Sequence, residues 1–463
     1  MKEAIRNAST ATTVSNAREF DSAHTPAPQI AILGQSPFTT LITNSGAGQT
    51  RFGEMAVTRW RADPTLDDSG HWCYVNDVTS DQTWSTGFQP TCAQPEWYKA
   101  RFTDDCVSFH RRDGEIETLT EIVVSAEDAV EIRRITLTNK SSTPRELELT
   151  SCAEIVIASF SIDRGHPAFS NLFVQTEWIP DRNTVLAMRR PRSAEKEPVW
   201  CGQSLCAMEG VSGNVTCETD RAQFIGRGRS YRKPIAMGKR GDLSGTTGAV
   251  LDPVFALRTR FAIAAGESAS VAFATFVAAD RKHALQLASE CSDSDRVNRI
   301  IQRARSADSD ERGQLYQSLA GHLLFPRTLS STASADRNEL EYFEISGELP
   351  IVLATLERDD DLAGLAELLG IHRYWREHGV RSDLVILVSG SNQLLEHMIS
   401  DFNSESGALR DAHVFAHPGS VILEEMSSLE EMQLDSLRAA ARLEIACDGF
   451  DVRQCLDRLD SSR

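Results

Sequence analysis

The sequence predicts a multidomain α+β protein: a large antiparallel β-sandwich, a helical linker and a small α/β domain at the C-terminal end. Three observations predict it. Residues 28–280 consist of short, β-branched, alternating runs with turn residues between them and no convincing helical pattern. At Arg281 the pattern changes to helix-forming stretches. From 350 to 388 an apolar run, an amphipathic helix and a second apolar run follow one another, which is a βαβ unit.

Residues 1–27 are rich in Ala, Ser, Thr and Asn and lead into Thr25-Pro26-Ala27-Pro28, the composition of a flexible leader. Strands are expected over 118–124, 130–139, 145–157, 254–264 and 268–278. In the third, Leu147, Leu149, Ser151 and Ala153 share one parity while Glu146, Glu148 and Thr150 take the other, as in a half-buried strand. Arg112-Asp113-Gly114, Lys140-Ser141-Ser142-Thr143-Pro144 and Ala265-Gly266-Glu267 supply turns. Helices over 282–291, 295–304 and 310–324 form a linker, 281–325; Leu315, Leu319 and Leu323 of the last are spaced by four. After a polar loop over 326–340, the α/β domain covers 340–446. It holds a strand at 350–356, a helix at 359–378 opening on Asp359-Asp360-Asp361, a strand at 383–388, a helix at 391–402, a short strand at 420–424 and a helix at 428–443. Residues 447–463 read as a fraying polar tail.

Composition narrows the function. The 463 residues are 41% hydrophobic and 25% charged, which excludes wholesale disorder. A net charge of −18 argues against nucleic acid or an anionic membrane surface as a partner. No stretch approaches the roughly 18 apolar residues of a membrane span, so no membrane insertion is expected. The first 20 residues contain no apolar secretory core, and none of the ten cysteines forms a C-x-x-C pair. These features predict reduced thiols and a cytoplasmic location.

Simple catalytic constellations are missing. His413 and His417 are four apart but have no third ligand in view, and Gly46-x-Gly48 fails the dinucleotide spacing because position 51 is Arg. No metal and no cofactor is expected. The basic stretch 221–240 contains Arg227 and Arg229 in a Gly-rich context, so both are candidate phosphate-binding residues, with a solvated loop as the alternative. Trp60, Trp72, Trp84 and Trp97 fall within 38 residues, interleaved with Arg59, Arg61, Asp63, Asp67, Asp68 and Asp77. Aromatic rings pack on the C–H faces of sugars and charged groups bind the hydroxyls, so this pattern fits a carbohydrate surface; the alternative is that the rings fill the core.

Several segments carry a family resemblance. They are Thr43-Asn44-Ser45-Gly46-Ala47-Gly48, Val57-Thr58-Arg59-Trp60-Arg61, the run from His166 through Asn171 and Gln175 to Glu177, Arg189-Arg190-Pro191-Arg192-Ser193, residues 243–253, and Ile345-Ser346-Gly347-Glu348-Leu349-Pro350. Together, from about Leu33 to about Leu443, the chain is similar to the glycoside hydrolase family 94 module (formerly glycosyltransferase family 36) of bacterial cyclic β-1,2-glucan synthases. The resemblance implies a β-super-sandwich, a helical linker and, in catalytic members, an (α/α)6 barrel that supplies one general acid for inverting phosphorolysis of β-glucosides. A barrel of twelve helices needs on the order of 300 residues, and 183 follow Asp280. No family acid motif is recognisable after Leu324, and the linker near Asp308-Ser309-Asp310 is short. No catalytic residue is therefore assigned.

Three functions follow from this. The first is a non-catalytic chain that recognises β-glucan or an oligosaccharide. The second is an enzyme whose barrel comes from a partner chain, with Asp63, Asp67, Asp77 and Glu177 as candidate acids. The third is a structural domain with a decayed sugar site. The expected carbohydrate-lining residues are Arg59, Trp60, Arg61, Trp84, His166, Asn171, Gln175 and Glu177. If 166–177 is a strand, Phe169, Asn171, Gln175 and Glu177 share one face.

Overall fold

The computed structural model describes residues 17–191, 198–211, 213–238, 241–307, 310–326, 335–343, 345, 347–357, 362–389 and 419–461. The expected helix at 391–402, the pair His413 and His417, and the first sixteen residues lie outside this set. Two nine-stranded antiparallel sheets stack to form the sandwich. In spatial order the first sheet contains Arg18–Phe20, Trp97–Phe102, Cys106–Asp113, Ile116–Val124, Val130–Asn139, Ser268–Ala278, Val199–Ala207, Thr184–Arg189 and Val174–Ile179. The second runs Val215–Asp220, Pro253–Ile263, Arg145–Ser159, Met55–Thr58, Gly48–Phe52, Phe38–Thr43 and Ile30–Gln35, and His71–Asp77 with Gln82–Ser85 pairs onto its longest strand.

The alternation in Arg145–Ser159 explains half of its environment. Leu147 and Leu149 point between the sheets, where they meet Phe255, Leu257, Ile135, Leu137 and Phe273. Glu148, Thr150 and Cys152 on the other parity are buried as well. Part of that outer face is covered by a second small core in which Cys152, Trp72 and Tyr74 pack under Phe224, Ile225, Ala236 and Met237 of the segment 221–238. That segment and residues 160–171 contain four short helices, Phe160–Gly165, Pro167–Asn171, Arg221–Ile225 and Ile235–Gly238, where the sequence showed none. At four to six residues they are too short for helical periodicity to register.

The linker helices form as their Asp caps dictate: the Asp280, Asp293 and Asp310 side chains accept backbone N–H groups at the starts of Arg281–Cys291, Ser294–Arg305 and Glu311–Leu324. The first two cover the outer face of the first sheet, where Leu287, Val297 and Ile301 meet Val130, Ile132 and Phe276. The third is shared between the sandwich and the α/β domain. Gln317 bonds both backbone polar groups of Ile32, and Trp375 donates its indole N–H to the Tyr316 carbonyl at 2.8 Å.

The α/β domain is a four-stranded parallel sheet in the order Val421–Glu425, Asp383–Val388, Ile351–Leu356, Ala441–Ala446. Both faces are covered, as all-parallel sheets require, which is why the two central strands, Ile351–Leu356 and Asp383–Val388, read as near-continuous apolar runs. Val352, Ala354, Leu384 and Ile386 face Leu319, Leu323, Leu365 and Leu368, whereas Leu353, Val385 and Leu387 face Phe343 and Leu437. The expected helix over 428–443 is shorter, Glu431–Ala440, with a Glu430–Gln433 capping box. It is followed by the strand Ala441–Ala446, whose Leu443 and Ile445 are buried in alternation. The tail contains a helix, Val452–Ser461, whose Val452, Cys455 and Leu456 share the core of Leu319 and Leu323. Within the expected leader, Arg18–Phe20 is an edge strand; the Arg18 guanidinium reaches Gln314 at 2.8 Å and the Ile30 carbonyl at 2.7 Å. No helix among the described residues is long and apolar enough to cross a membrane.

The two bodies meet closely. The Ser36 N–H donates to the Glu377 carbonyl at 2.6 Å, and Arg51 donates to the Gly379 carbonyl at 3.1 Å. Gly379 has φ +77°, and a Cβ there would lie 2.5 Å from Thr39 Oγ1. Gly379→Val combines left-handed backbone strain with that clash. It is expected to cost about 2–3 kcal/mol, read as a lower urea midpoint for unfolding of the α/β domain.

Candidate functional site

Strand Met55–Thr58 delivers Arg59, Trp60 and Arg61 beside the end of Arg145–Ser159, because Thr58 pairs with Ile155 and the Arg59 N–H donates to the Glu154 carbonyl. Past that point the register shifts, Ile157 takes φ +49°, and the long strand turns into the helix Phe160–Gly165. The two segments thus bring a cation and two carboxylates together. Arg59 bonds Glu154, and also Asp163 at 2.9 Å. Burial alone would lower the Arg59 pKa, but Glu154 and Asp163 outweigh it and hold the guanidinium above its usual value. Arg59 also donates to Asn171 at 3.4 Å, and Asn171 donates to Asp252 at 2.9 Å. Arg221 closes the ring, 3.2 Å from both Glu154 and Asp252. Burial first, then Glu154, raises the Asp252 pKa against the pull of the two arginines. Three separate motifs of the sequence, through Arg59, Asn171 and Asp252, therefore converge on one ion network.

Next to this network is a cavity of about 400 Å³ between the sandwich and the α/β domain. On the sandwich side it is lined by Gln49, Arg51, Glu54, Trp60, Arg61, Phe160 and Arg164. The opposite wall is Glu348, Leu349, Pro350, His378–Arg381 and Arg442. These residues sit at the amino ends of the parallel strands, so the sandwich closes the edge opposite the one where open α/β sheets bind ligands. Arg61 reaches back to Asp163 at 3.6 Å, linking the cavity to the network. Phe160 remains 39% exposed, with the Arg164 guanidinium 6.0 Å from its ring centre.

The expected site residues separate accordingly. Arg59, Arg61 and Asn171 come together, and Trp60 lines the cavity while its ring packs edge-on against Phe325. Trp84 is 3% exposed in the sandwich core, with its N–H toward Thr118, and Trp72 is 2% exposed. Trp97 lies on the surface against His110. The tryptophan cluster is thus close in sequence but not in space, since successive strands carry the rings into different cores. His166 is exposed at the end of a helix. Asn171 sits in the helix Pro167–Asn171 while Gln175 and Glu177 are on the strand Val174–Ile179, so the shared face expected for 166–177 does not form. Glu177 is engaged by Arg281 at 2.5 Å. Arg227 and Arg229 are exposed on a loop shaped by Gly226 and Gly228 at positive φ.

The candidate acids are mostly structural. Asp63 caps a turn through the N–H groups of Thr65 and Leu66, and Asp77 pairs with Arg145 at 3.0 Å. Asp67 accepts the Thr43 and Ser45 hydroxyls of the first motif, at 2.8 and 2.5 Å, and burial raises its pKa to about 7. The cavity residues that sequence reasoning missed, among them Arg51, Phe160, Arg164, Arg381 and Arg442, come from segments hundreds of positions apart. Of the cavity wall outside Arg59–Arg61, Glu348, Leu349 and Pro350 lie within a motif singled out in the sequence.

The two stacked nine-stranded sheets define a supersandwich, and residues 15–294 match the glycosyl hydrolase 94 supersandwich domain. The chain belongs to that family, as its sequence motifs implied. Over 412 residues it is 28% identical to the cyclic beta-(1,2)-glucan synthase NdvB of Rhizobium meliloti, covering 84% of this chain and 14% of that protein. It is 24% identical to the solabiose phosphorylase of Paenibacillus borealis, covering 54% of this chain and 32% of the relative. The N,N'-diacetylchitobiose phosphorylase of Vibrio furnissii is 23% identical, with 59% and 33% covered. The chain thus spans a third or less of each of these relatives. Among solved structures, a bacterial glucoamylase complexed with acarbose aligns with 68% of this chain and 45% of its own at 10% identity and a TM-score of 0.37. A putative aldose 1-epimerase of Escherichia coli aligns with 54% of this chain and 99% of its own at 9% identity and a TM-score of 0.30.

Proposed function

We propose that this chain is a non-catalytic, glucan-recognising portion of a glucan-synthase- or phosphorylase-like protein, and that the sugar is held in the cavity between sandwich and α/β domain. The observation that carries this reading is the lining: an exposed aromatic face, Phe160, beside Gln49, Glu54, Glu348 and several guanidiniums, around about 400 Å³. That volume lies within the range of small-ligand sites, and the mixture of ring and polar groups suits a saccharide. A non-catalytic role is supported by the chain after Leu324, whose described residues build a parallel α/β unit rather than a helical barrel.

Calorimetric titration with linear and cyclic β-1,2-glucans is expected to show saturable binding at millimolar concentration or below, with no glucose 1-phosphate released when phosphate is added. Phe160→Ala, at an exposed position, is expected to weaken binding about tenfold, or about 1.4 kcal/mol. No binding by the intact chain, or sugar release by it, counts against the proposal.

A further inference from the structure

The junction cavity carries a charge opposite to that of the molecule. The chain has a net charge of −18, yet among the described residues the cavity is lined by Arg51, Arg61, Arg164, Arg381 and Arg442 against two carboxylates, Glu54 and Glu348. Arg381 is bonded to Glu54, and Arg61 is answered by Asp163. The other three differ. Arg51 donates to the Gly379 carbonyl, Arg442 reaches the Leu323 and Leu324 carbonyls at 3.4 Å, and Arg164 lies near the Phe160 ring. Among the described residues none of these three has a carboxylate within ion-pair distance. Arg442 and Arg51 each feel the charge of a second arginine. Arg442 is lowered from its usual value by burial and then by the charge of Arg164. Arg51 is lowered by burial, with Glu54 opposing and Arg381 adding to the effect.

Three guanidiniums facing one cavity, outnumbering its carboxylates and in no ion pair among the described residues, repel one another, and a bound anion would relieve that repulsion. Planar guanidinium forks match the oxygens of phosphate, and three of them suit a dianion better than a single carboxylate. We infer that the junction cavity binds a phosphate group, free or esterified to a sugar, with Arg164 and Arg442 as its principal cations and Arg51 beside them. The inference rests on the reading of the cavity as a saccharide site: Phe160 meets the sugar ring and the guanidiniums meet the phosphate.

The test is calorimetric titration of the full chain, at fixed ionic strength, with glucose, glucose 6-phosphate, glucuronate and inorganic phosphate. Glucose 6-phosphate is expected to bind at least tenfold more tightly than glucose and glucuronate. Arg164→Gln with Arg442→Gln is expected to remove most of that preference, while Arg227→Gln with Arg229→Gln on the exposed loop leaves it intact. Should the first pair unfold the chain, Arg164→Gln alone, at an exposed position, still has to lower the preference several-fold. Competition by inorganic phosphate supports the free ion as a ligand; binding of glucose 6-phosphate without that competition supports the esterified form. Equal affinity for glucose and glucose 6-phosphate, equal affinity for glucuronate, or a preference that follows the loop variants overturns the inference. Neutral β-1,2-glucan is titrated separately. If it binds and no phosphate preference exists, only this inference falls; if phosphate discrimination persists without glucan binding, the glucan reading falls instead.

Discussion

Glu131→Gln is expected to destabilise the sandwich by about 3–5 kcal/mol, as does breaking a buried ion pair from one side. Glu131 lies between the sheets, inaccessible to solvent. It accepts from Arg133 at 2.5 Å and from the Thr40 and Thr50 hydroxyls at 2.8 and 2.5 Å. His71 Nδ1 is 3.5 Å away, and Gln203, itself accepting from Ser151, meets the other side of the His71 ring. Burial alone would raise the Glu131 pKa, but Arg133 and then His71 outweigh it and hold the carboxyl below its usual range. Removing the charge leaves the Arg133 guanidinium buried and unanswered. The companion variant Glu131→Gln with Arg133→Met should recover part of the loss; urea midpoints of the two variants measure it.

The same cluster sets an acid limit. Burial, then Arg133, lowers the His71 pKa to about 4 from 6.5. As pH falls below 6.5 the unfolded chain takes up this proton before the folded one does. Stability is therefore lost between pH 6.5 and about 4, on the order of 3 kcal/mol in all. Glu131, with its folded value depressed, contributes stability above its unfolded pKa and loses it as pH falls further. A urea midpoint that does not move between pH 7 and 5 contradicts this account of His71.

Arg59→Ala is expected to cost about 3 kcal/mol and to disturb the cavity wall at the same time. The side chain is 16% exposed and answers Glu154 and Asp163 together. Without it Asp163, which is 6% exposed, retains among the described residues only the longer contact to Arg61. Arg59→Lys does not restore the network, because one ammonium cannot replace a fork that bonds two carboxylates. Combining Arg59→Ala with Asp163→Asn should cost less than the sum of the single variants, since the neutral amide no longer needs a cation. Additive losses in thermal unfolding, or a loss for Arg59→Ala within about 0.5 kcal/mol of zero, would show that the convergence of the three motifs has no energetic content.

The layout of the molecule was largely written in local patterns. Period-two runs mark 130–139 and 268–278 because one side of each strand packs between the sheets, and Asp310 announces the linker helix it caps. The helix expected over 428–443 overruns the strand Ala441–Ala446 by three residues because Ala, Arg and Leu are good helix formers; pairing with Ile351–Leu356 overrides that propensity. The site was legible where chemistry and motif coincided, at Arg59, Trp60, Arg61 and Asn171. Trp84 misled because aromatic clustering in sequence is the same whether strands carry the rings inward or outward. Arg442 and Arg381 gave no signal, since a cavity between two bodies is assembled by docking and not by spacing along the chain.

The central claim, that glucan is held where the α/β domain meets the sandwich, is tested most directly by hydrogen exchange with and without a linear β-1,2-glucan. The account predicts slowed exchange in 159–164 and 378–381, with the loop 226–233 unchanged. Protection confined to that loop or to the far edge strand Val174–Ile179, or none anywhere at saturating sugar, contradicts it.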